Sequence, residues 1–462
     1  MIKIKNILIL ILFSLSIFSS TIIIDKFDRY EISSDNKANH VLIKSDILRF
    51  WNEADYIKKN FEANKSFHEL GGFYYSSFLP PKITALYYIL ISEEIFLENE
   101  FTSDGKKKLK SNNGKIFFTY LQISLFFFSI ILLYNSLKKK IGKHAVIILI
   151  FLLIEPTIHQ FNFSFFSESI FFSITAILLS LMIKNDNNIY SFFLIGVLTS
   201  FLYLQRSISI FYFIPILIFF LLEKKNFTFI ISYICGLILV IFLLGAHNYL
   251  RTGIAHITPY QSKIDIYLYL VPKILSKKDQ SIAKKESFEI KNKIQSFKEK
   301  NNLNLDSEKD RIIYGKFIRN LSIKYVINNP IITARVMLKG SFHSLVFNPF
   351  EIYSFYKYEY KPSNKDLRYY KSDEHKKFII IRVLYSLTIY SICIIGFSVL
   401  LKKKQFLNFQ IFLSLSILYY LAVGGWHGNP RYQSTNIIFL SIFFGFGLLE
   451  IKKYLRNKFF YG

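Results

Sequence analysis

The residues best able to do chemistry in this chain of 462 residues are acids, arginines and histidines at the edges of long apolar runs. Asp46 leads the stretch SDILRFWNEADYI, with Phe50 four residues on and Ala54 four further, and FLPPKI closes the same polar segment. Further along stand Glu155, Glu168, Arg206, His247, Arg251, His427, Arg431 and Tyr432. A carboxylate can take a proton from an acceptor hydroxyl. A guanidinium can hold a phosphate through bidentate, charge-assisted hydrogen bonds as negative charge grows on a leaving group. Together these suit transfer from a lipid phosphate. Singly, each also reads as an interfacial anchor, and Asp46 also reads as a helix cap, because Ser45-Asp46 begins a plausible helix and acids are favoured there.

Such residues act together only if the apolar runs bring them to one side of a membrane. The composition is 52% hydrophobic and 18% aromatic, and the runs predict an all-α polytopic membrane protein. About ten spans are expected, over 7–24, 115–137, 144–154, 169–183, 189–204, 208–222, 227–246, 378–401, 406–423 and 436–449. The first is longer than a signal-peptide apolar region and has no A-x-A-like site after it, so it reads as a retained helix. Lys3 and Lys5 precede it, and basic clusters at 138–144, 224–225, 402–404 and 452–458 fall on the same side. The positive-inside rule then places both termini in the cytoplasm, in a cytoplasmic (inner) membrane.

This divides the chain into a first transmembrane helix (1–24), an external loop carrying Asp46 (25–114) and a block of six spans (115–250). An external, mainly helical segment (251–377) and three last spans with a basic tail (378–462) follow. The run 83–96 is short and ends in Glu93-Glu94, so it is expected to lie at the interface. The lysine-rich piece 106–110 reads as a polar link. In the long external segment, 306–328 and 331–346 are periodic enough for helices, the second lying on the membrane, and 277–300 reads as a solvated helix or loop. The net charge of +26 accompanies no nucleic-acid-binding module. Most of it reflects a Lys-, Asn- and Ile-rich composition. Cys235 and Cys393 lie inside apolar runs and read as packed hydrophobes.

With these fragments in order, the chain resembles the multi-spanning glycosyltransferases of the GT-C fold. It is most similar to the family 39 type, which includes protein O-mannosyltransferases and aminoarabinose transferases acting on lipid A. Asp46, Phe50 and Ala54 stand at the family's acid-x-x-x-aromatic-x-x-x-Ala pattern, with Phe where Tyr is usual. Its paired prolines appear as FLPPKI, its P…SE-apolar element as Pro156 followed by FSESIFF with Glu168, and its helix ending in arginine as LYLQRS with Arg206. HNYLRTG carries His247 in the usual arginine position, with Arg251 beyond, and GNPRYQS carries Arg431 and Tyr432 before the last span.

The resemblance implies a polyprenyl-phosphate-linked monosaccharide as donor and inversion at the anomeric carbon. The acceptor would be a lipid, glycan or protein, with Asp46 as the catalytic base. It makes Arg206 and Arg431 candidates for the phosphate, with Arg251 behind them, and Glu168 a candidate to orient sugar or acceptor. His427 and Tyr432 are candidates by position. Membrane lipid is the implied surroundings, and nucleic acid is not an implied partner. No cofactor is implied; a divalent metal stays open, although no acidic cluster demands one. The rival classes are a lipid or glycan flippase or transporter and a polysaccharide polymerase or ligase. The chain lacks the internal repeats of the former, and its loaded first loop argues against the latter.

Overall fold

The computed structural model describes residues 13, 45–65, 77–101, 107–109, 113–142, 144–162, 167–184, 187–345, 373–403, 406–426 and 430–460. Among these the protein is almost entirely helical. The first apolar run, 7–24, lies outside the described residues except for Phe13, whose ring meets Phe127 edge-on at 5.0 Å.

Helix α1 (Ser45–Glu62) packs on α2 (Leu79–Leu90). The paired prolines sit in the first turn of α2, where a missing N–H costs nothing and the fixed φ suits the helix. The lysine-rich link is not plain loop either. Lys107–Leu109 forms β2, antiparallel to β1 (Phe96–Phe101), with Phe96 opposite Leu109, Phe101 opposite Lys107 and an irregularity between. Three lysines in a row hide this strand, because the backbone pairing of a short hairpin needs no apolar alternation.

Then come α3 (Asn113–Ile141), α4 (His144–Ile154), α5 (Pro156–Asn162), α6 (Glu168–Lys184), α7 (Ile189–Gln205), α8 (Phe213–Leu222) and α9 (Phe227–Thr252). The block expected to hold six spans thus has a seventh, short helix, α5. It starts where Pro156 breaks the chain after α4, and Glu155 accepts the Thr157 N–H at its first turn. The 11 residues of α4 rise only about 16 Å, short of the hydrocarbon thickness. The periodic segment after α9 folds as α10 (Tyr260–Asp265), a π turn (Ile266–Leu270), α11 (Val271–Leu275), α12 (Gln280–Lys300), α13 (Glu308–Ile327) and α14 (Pro330–Ser344). The last three helices are α15 (Asp373–Leu401), α16 (Leu407–Gly425) and α17 (Ile437–Phe460).

Among the described residues, five helices are long and apolar enough to cross a membrane: α3, α9, α15, α16 and α17. Shorter apolar helices lie at His144–Ile154, Ile189–Gln205 and Ser207–Leu222. This is an α-helical, multi-pass membrane protein. Only 28% of the most apolar window of α9 is buried, against 72% for α17, so α17 is the central span and α9 a peripheral one. Ile238, Phe242, Leu243 and Leu250 of α9 and Ile380, Leu384 and Ile394 of α15 stand exposed, as lipid-facing residues do in a bilayer.

Water cannot drive apolar helices together inside lipid, so close backbone packing must hold them. Glycine provides it. A Cβ on Gly196 of α7 would overlap the Tyr233 carbonyl of α9, and one on Gly236 would overlap the Phe193 carbonyl. Gly396 of α15 and Gly447 of α17 make the same reciprocal crossing, and Gly340 of α14 meets Gly425 at the end of α16. One large hydrophobic core joins the bundle to α1 and α2. A second, built on Ile264, Val271, Ile290, Ile294 and Ile318, holds α10 to α13 together. A small cluster of Leu270, Ile274 and Val336, with Trp426 against it, joins the two.

These crossings make a sharp prediction within one helix. Gly236→Ala should lower stability by about 1–3 kcal/mol through overpacking. Gly245→Ala, where the new methyl meets only Ile257 at 3.6 Å, should be neutral or gain up to about 1 kcal/mol of helix propensity. Thermal unfolding of the two detergent-solubilised variants checks this; equal effects would mean that the α7–α9 crossing does not depend on glycine.

Candidate functional site

A cavity of about 510 Å³ opens where the bundle meets the α10–α14 segment. Its lining mixes two kinds of side chain. Phe50 of α1, Ile208, Ile210, Phe211, Ile323, Met337, Val423 and Trp426 are apolar. Arg206, Gln261, Ser262, Asp265, Arg319 and Asn320 are polar, as are Ser77, Ser167 and Ser207.

Local backbone geometry explains how these residues reach the cavity. Helix α7 ends at Gln205 because Arg206 turns extended, at φ −144° and ψ 116°, and a short 3-10 turn, Ser207–Ser209, follows. The carbonyl of Leu204, freed at that helix end, accepts the N–H of Phe78 at 3.2 Å, which ties the entry to α2 against the exit of α7. The π turn after Asp265 leads into Pro272 at the start of α11. Proline lacks an N–H for the usual bond four residues back, and such a loss widens or kinks a helix. On the other side, Gly315 lets α13 approach α10 closely: a Cβ there would lie 3.2 Å from the Tyr260 ring and 3.3 Å from Lys263 Cβ. Arg319 follows one helical turn later.

Of the residues singled out from sequence, Glu168 and Arg206 come together. Arg206 Nη2 lies 3.5 Å from Glu168 Oε1 with side chains 5% and 0% exposed. The guanidinium also sits over the Phe171 ring at 5.7 Å, and Ser167 Oγ donates to Glu168 Oε2 at 3.3 Å. An isolated charge so deeply buried would be prohibitive, and pairing is what makes it tolerable. Arg206 lines the cavity and Glu168 lies behind it.

Asp46 belongs to α1, four residues before Phe50 and eight before Ala54. Phe50 lines the cavity and Ala54 is fully buried. Arg431 and Tyr432 fall in a 3-10 helix, Pro430–Asn436, that packs against α6, α14, α16 and α17. Gln433 anchors it by donating to Ser344 Oγ at 3.0 Å. The side chains of Asp46, Arg431 and Tyr432 and all of His427 lie outside the described residues.

Three others do not line the cavity. Arg251, in the last turn of α9, forms a bidentate ion pair with Glu308 in the first turn of α13, so it clamps the second core to the bundle. Glu155 accepts a hydrogen bond from the Tyr385 hydroxyl of α15. His247 is buried near the end of α9.

Sequence reasoning missed Arg319, Asp265, Gln261 and Trp426. Arg319 sits among the apolar residues that define α13 and resembles any solvated helix charge. The signal that could have found it is Gly315, a glycine inside a helix one turn earlier, which marks close approach of another backbone. Arg319 also acts on its neighbour on α10: burial, then the nearby Arg319 charge, pushes Lys263 down to about 8. Among the described residues there is no group of three or more His, Cys, Asp or Glu side chains arranged to hold a metal ion.

The buried pair predicts strong coupling. Glu168→Gln should destabilise the protein by about 3–5 kcal/mol, because it leaves the Arg206 charge buried without its counter-ion. Combining it with Arg206→Met should cost less than the sum of the single changes. Strict additivity in a double-mutant cycle of thermal unfolding would refute the pairing.

Compared with known proteins, the chain matches no family model, no curated protein and no solved structure.

Proposed function

We propose that the protein is a membrane glycosyltransferase of the GT-C type, family 39-like, which moves a sugar from a polyprenyl-phosphate donor to a lipid, glycan or protein acceptor. The observation that carries this reading is the amphiphilic cavity. Its lining combines side chains apolar enough for a prenyl chain with guanidinium, carboxylate and amide groups, and three of the family-like fragments converge on it. Those are the Asp-x-x-x-Phe-x-x-x-Ala helix, the helix ending in Arg206, and the SE element that supplies the partner of Arg206.

In the proposed reaction Asp46 takes the proton of the acceptor hydroxyl. The acceptor oxygen attacks the anomeric carbon from the side opposite the phosphate. The bond from that carbon to the phosphate oxygen breaks, and polyprenyl phosphate leaves with the electron pair. The configuration inverts. Arg206, held by Glu168, and Arg431 on the 3-10 helix supply positive charge on the leaving-group side. In this reading the chain has about ten spans, both termini are cytoplasmic, and the cavity opens at the outer face of the cytoplasmic membrane.

Asp46→Asn should lower transfer about 100-fold or more, the usual contribution of a general base, while the protein still inserts and accumulates. The measurement is the glycolipid and glycan profile of cells expressing each form against cells lacking the gene. Full product from the variant would remove Asp46 from the mechanism, and identical profiles with and without the gene would remove the transferase reading.

Orientation has its own test. Lys65 is exposed just after α1. Lys65→Cys, in a background with Cys235 and Cys393 replaced by serine, should react with a membrane-impermeant maleimide in intact cells. Labelling only after lysis would invert the proposed topology.

A further inference from the structure

Charge balance around the cavity separates its arginines. Arg206 faces the carboxylate of Glu168, and Arg251 is closed onto Glu308 outside the cavity. Arg319 lines the cavity, and its buried Nε has no hydrogen-bond partner among the described residues. Across from it on α10, the Ser262 hydroxyl, which can donate to an anion, and Gln261 Oε1, which can only accept, are likewise buried without partners. Asp265 also lines the cavity and has interactions of its own. Buried polar groups in native proteins are nearly always satisfied, and exceptions call for a ligand or another explanation.

The helix carrying Arg319 also shows what such a ligand is attached to. Ile323 and Ile327 follow at four-residue steps along the same side of α13. Ile323 lines the cavity and is 38% exposed, and Ile327 is 67% exposed. Facing this track, Ala422 and Val423 belong to the last turn of the membrane-crossing helix α16. A guanidinium whose buried Nε lacks a partner, beside an apolar track that grows more exposed along α13 and faces a membrane helix, suits an anionic head on a long hydrocarbon chain.

We propose that Arg319, rather than Arg206, is the primary ligand of the phosphate of a lipid-linked substrate, with the chain leaving along Ile323 and Ile327. The guanidinium would donate to the phosphate oxygens. Arg206, its charge balanced by Glu168, would add only secondary positive charge on the leaving-group side. This rests on the reading that the cavity takes a lipid phosphate, and it concerns binding, so it can be tested without turnover.

Binding is read from tryptophan emission. The chain has two tryptophans; Trp426 lines the cavity and Trp51 is 1% exposed in the core. Full-length protein in nanodiscs is titrated with undecaprenyl phosphate, undecaprenol, a short-chain prenyl phosphate and inorganic phosphate. The wild type should bind undecaprenyl phosphate most tightly. Arg319→Gln should weaken that binding about tenfold or more, the scale of a charge-assisted hydrogen bond, and leave binding of undecaprenol unchanged; Arg319→Lys should be intermediate. Ile323→Gln, at a partly exposed position, should weaken the long-chain phosphate and spare the short one.

Equal wild-type affinity for undecaprenyl phosphate and undecaprenol would overturn the proposal. So would tight inorganic phosphate binding, or an unchanged affinity in Arg319→Gln. The fate of the transferase reading is separate: phosphate binding through Arg319 in a protein that makes no glycan would sink transfer and keep this site. Transfer that survives Arg319→Gln with unchanged donor affinity would do the reverse.

Discussion

No charge can be left alone inside an apolar helical bundle, and the architecture follows from how this protein meets that constraint. Glu168 and Arg206, both deeply buried, meet each other where α6 begins and α7 ends. Glu155 sits at the break between α4 and α5 and is met by Tyr385 and the Thr157 N–H. Arg251 and Glu308 join the last turn of α9 to the first turn of α13. All three are at helix ends, where backbone groups lack intrahelical partners and the helix dipole favours an acid at the start and a base at the finish. The ionic groups therefore fix which ends meet, and the cavity forms at one of these junctions.

Between those ends the helices need a different force, because apolar side chains gain little by leaving lipid for one another. The glycine crossings of α7 with α9, α15 with α17 and α14 with α16 supply backbone-to-backbone contact instead. The third links the two parts of the protein. It fastens α14 to the end of α16, and Ser341 Oγ adds a hydrogen bond to the Leu421 carbonyl at 2.8 Å. Met337 and Val423, lining the cavity from these two helices, are thus held by the same contact. Packing and site are not separable there.

Helices, and the ends of most of them, were legible in the sequence because apolar run length and lysine punctuation report them directly. The expected 189–204 and the observed Ile189–Gln205 differ by one residue. Pairing was less legible. Glu168 and Arg206 were both singled out, but nothing in their spacing of 38 residues says that they touch. The hairpin at 96–109 was missed because strand pairing is a backbone property and the lysines there carry no periodic signal. Arg319 was missed because a cation on a helix surface and one facing a cavity look the same until a second helix is laid against them.

That last case shows what three-dimensional charge balance adds to residue chemistry. From the sequence, Arg206 and Arg431, with Arg251 behind them, are the candidates for holding an anion, and Arg319 does not stand out. In the fold, two of them carry carboxylate partners, at 3.5 Å for Arg206 and through a bidentate contact for Arg251. An arginine already neutralised attracts a phosphate far less than one that is not, since interactions in a low-dielectric site scale with net charge at close range. The ranking of the cavity's arginines therefore turns on their counter-ions more than on their positions along the chain. Glu168, which the family resemblance makes a candidate to orient sugar or acceptor, gains a physical role that needs no substrate: it balances the charge of Arg206.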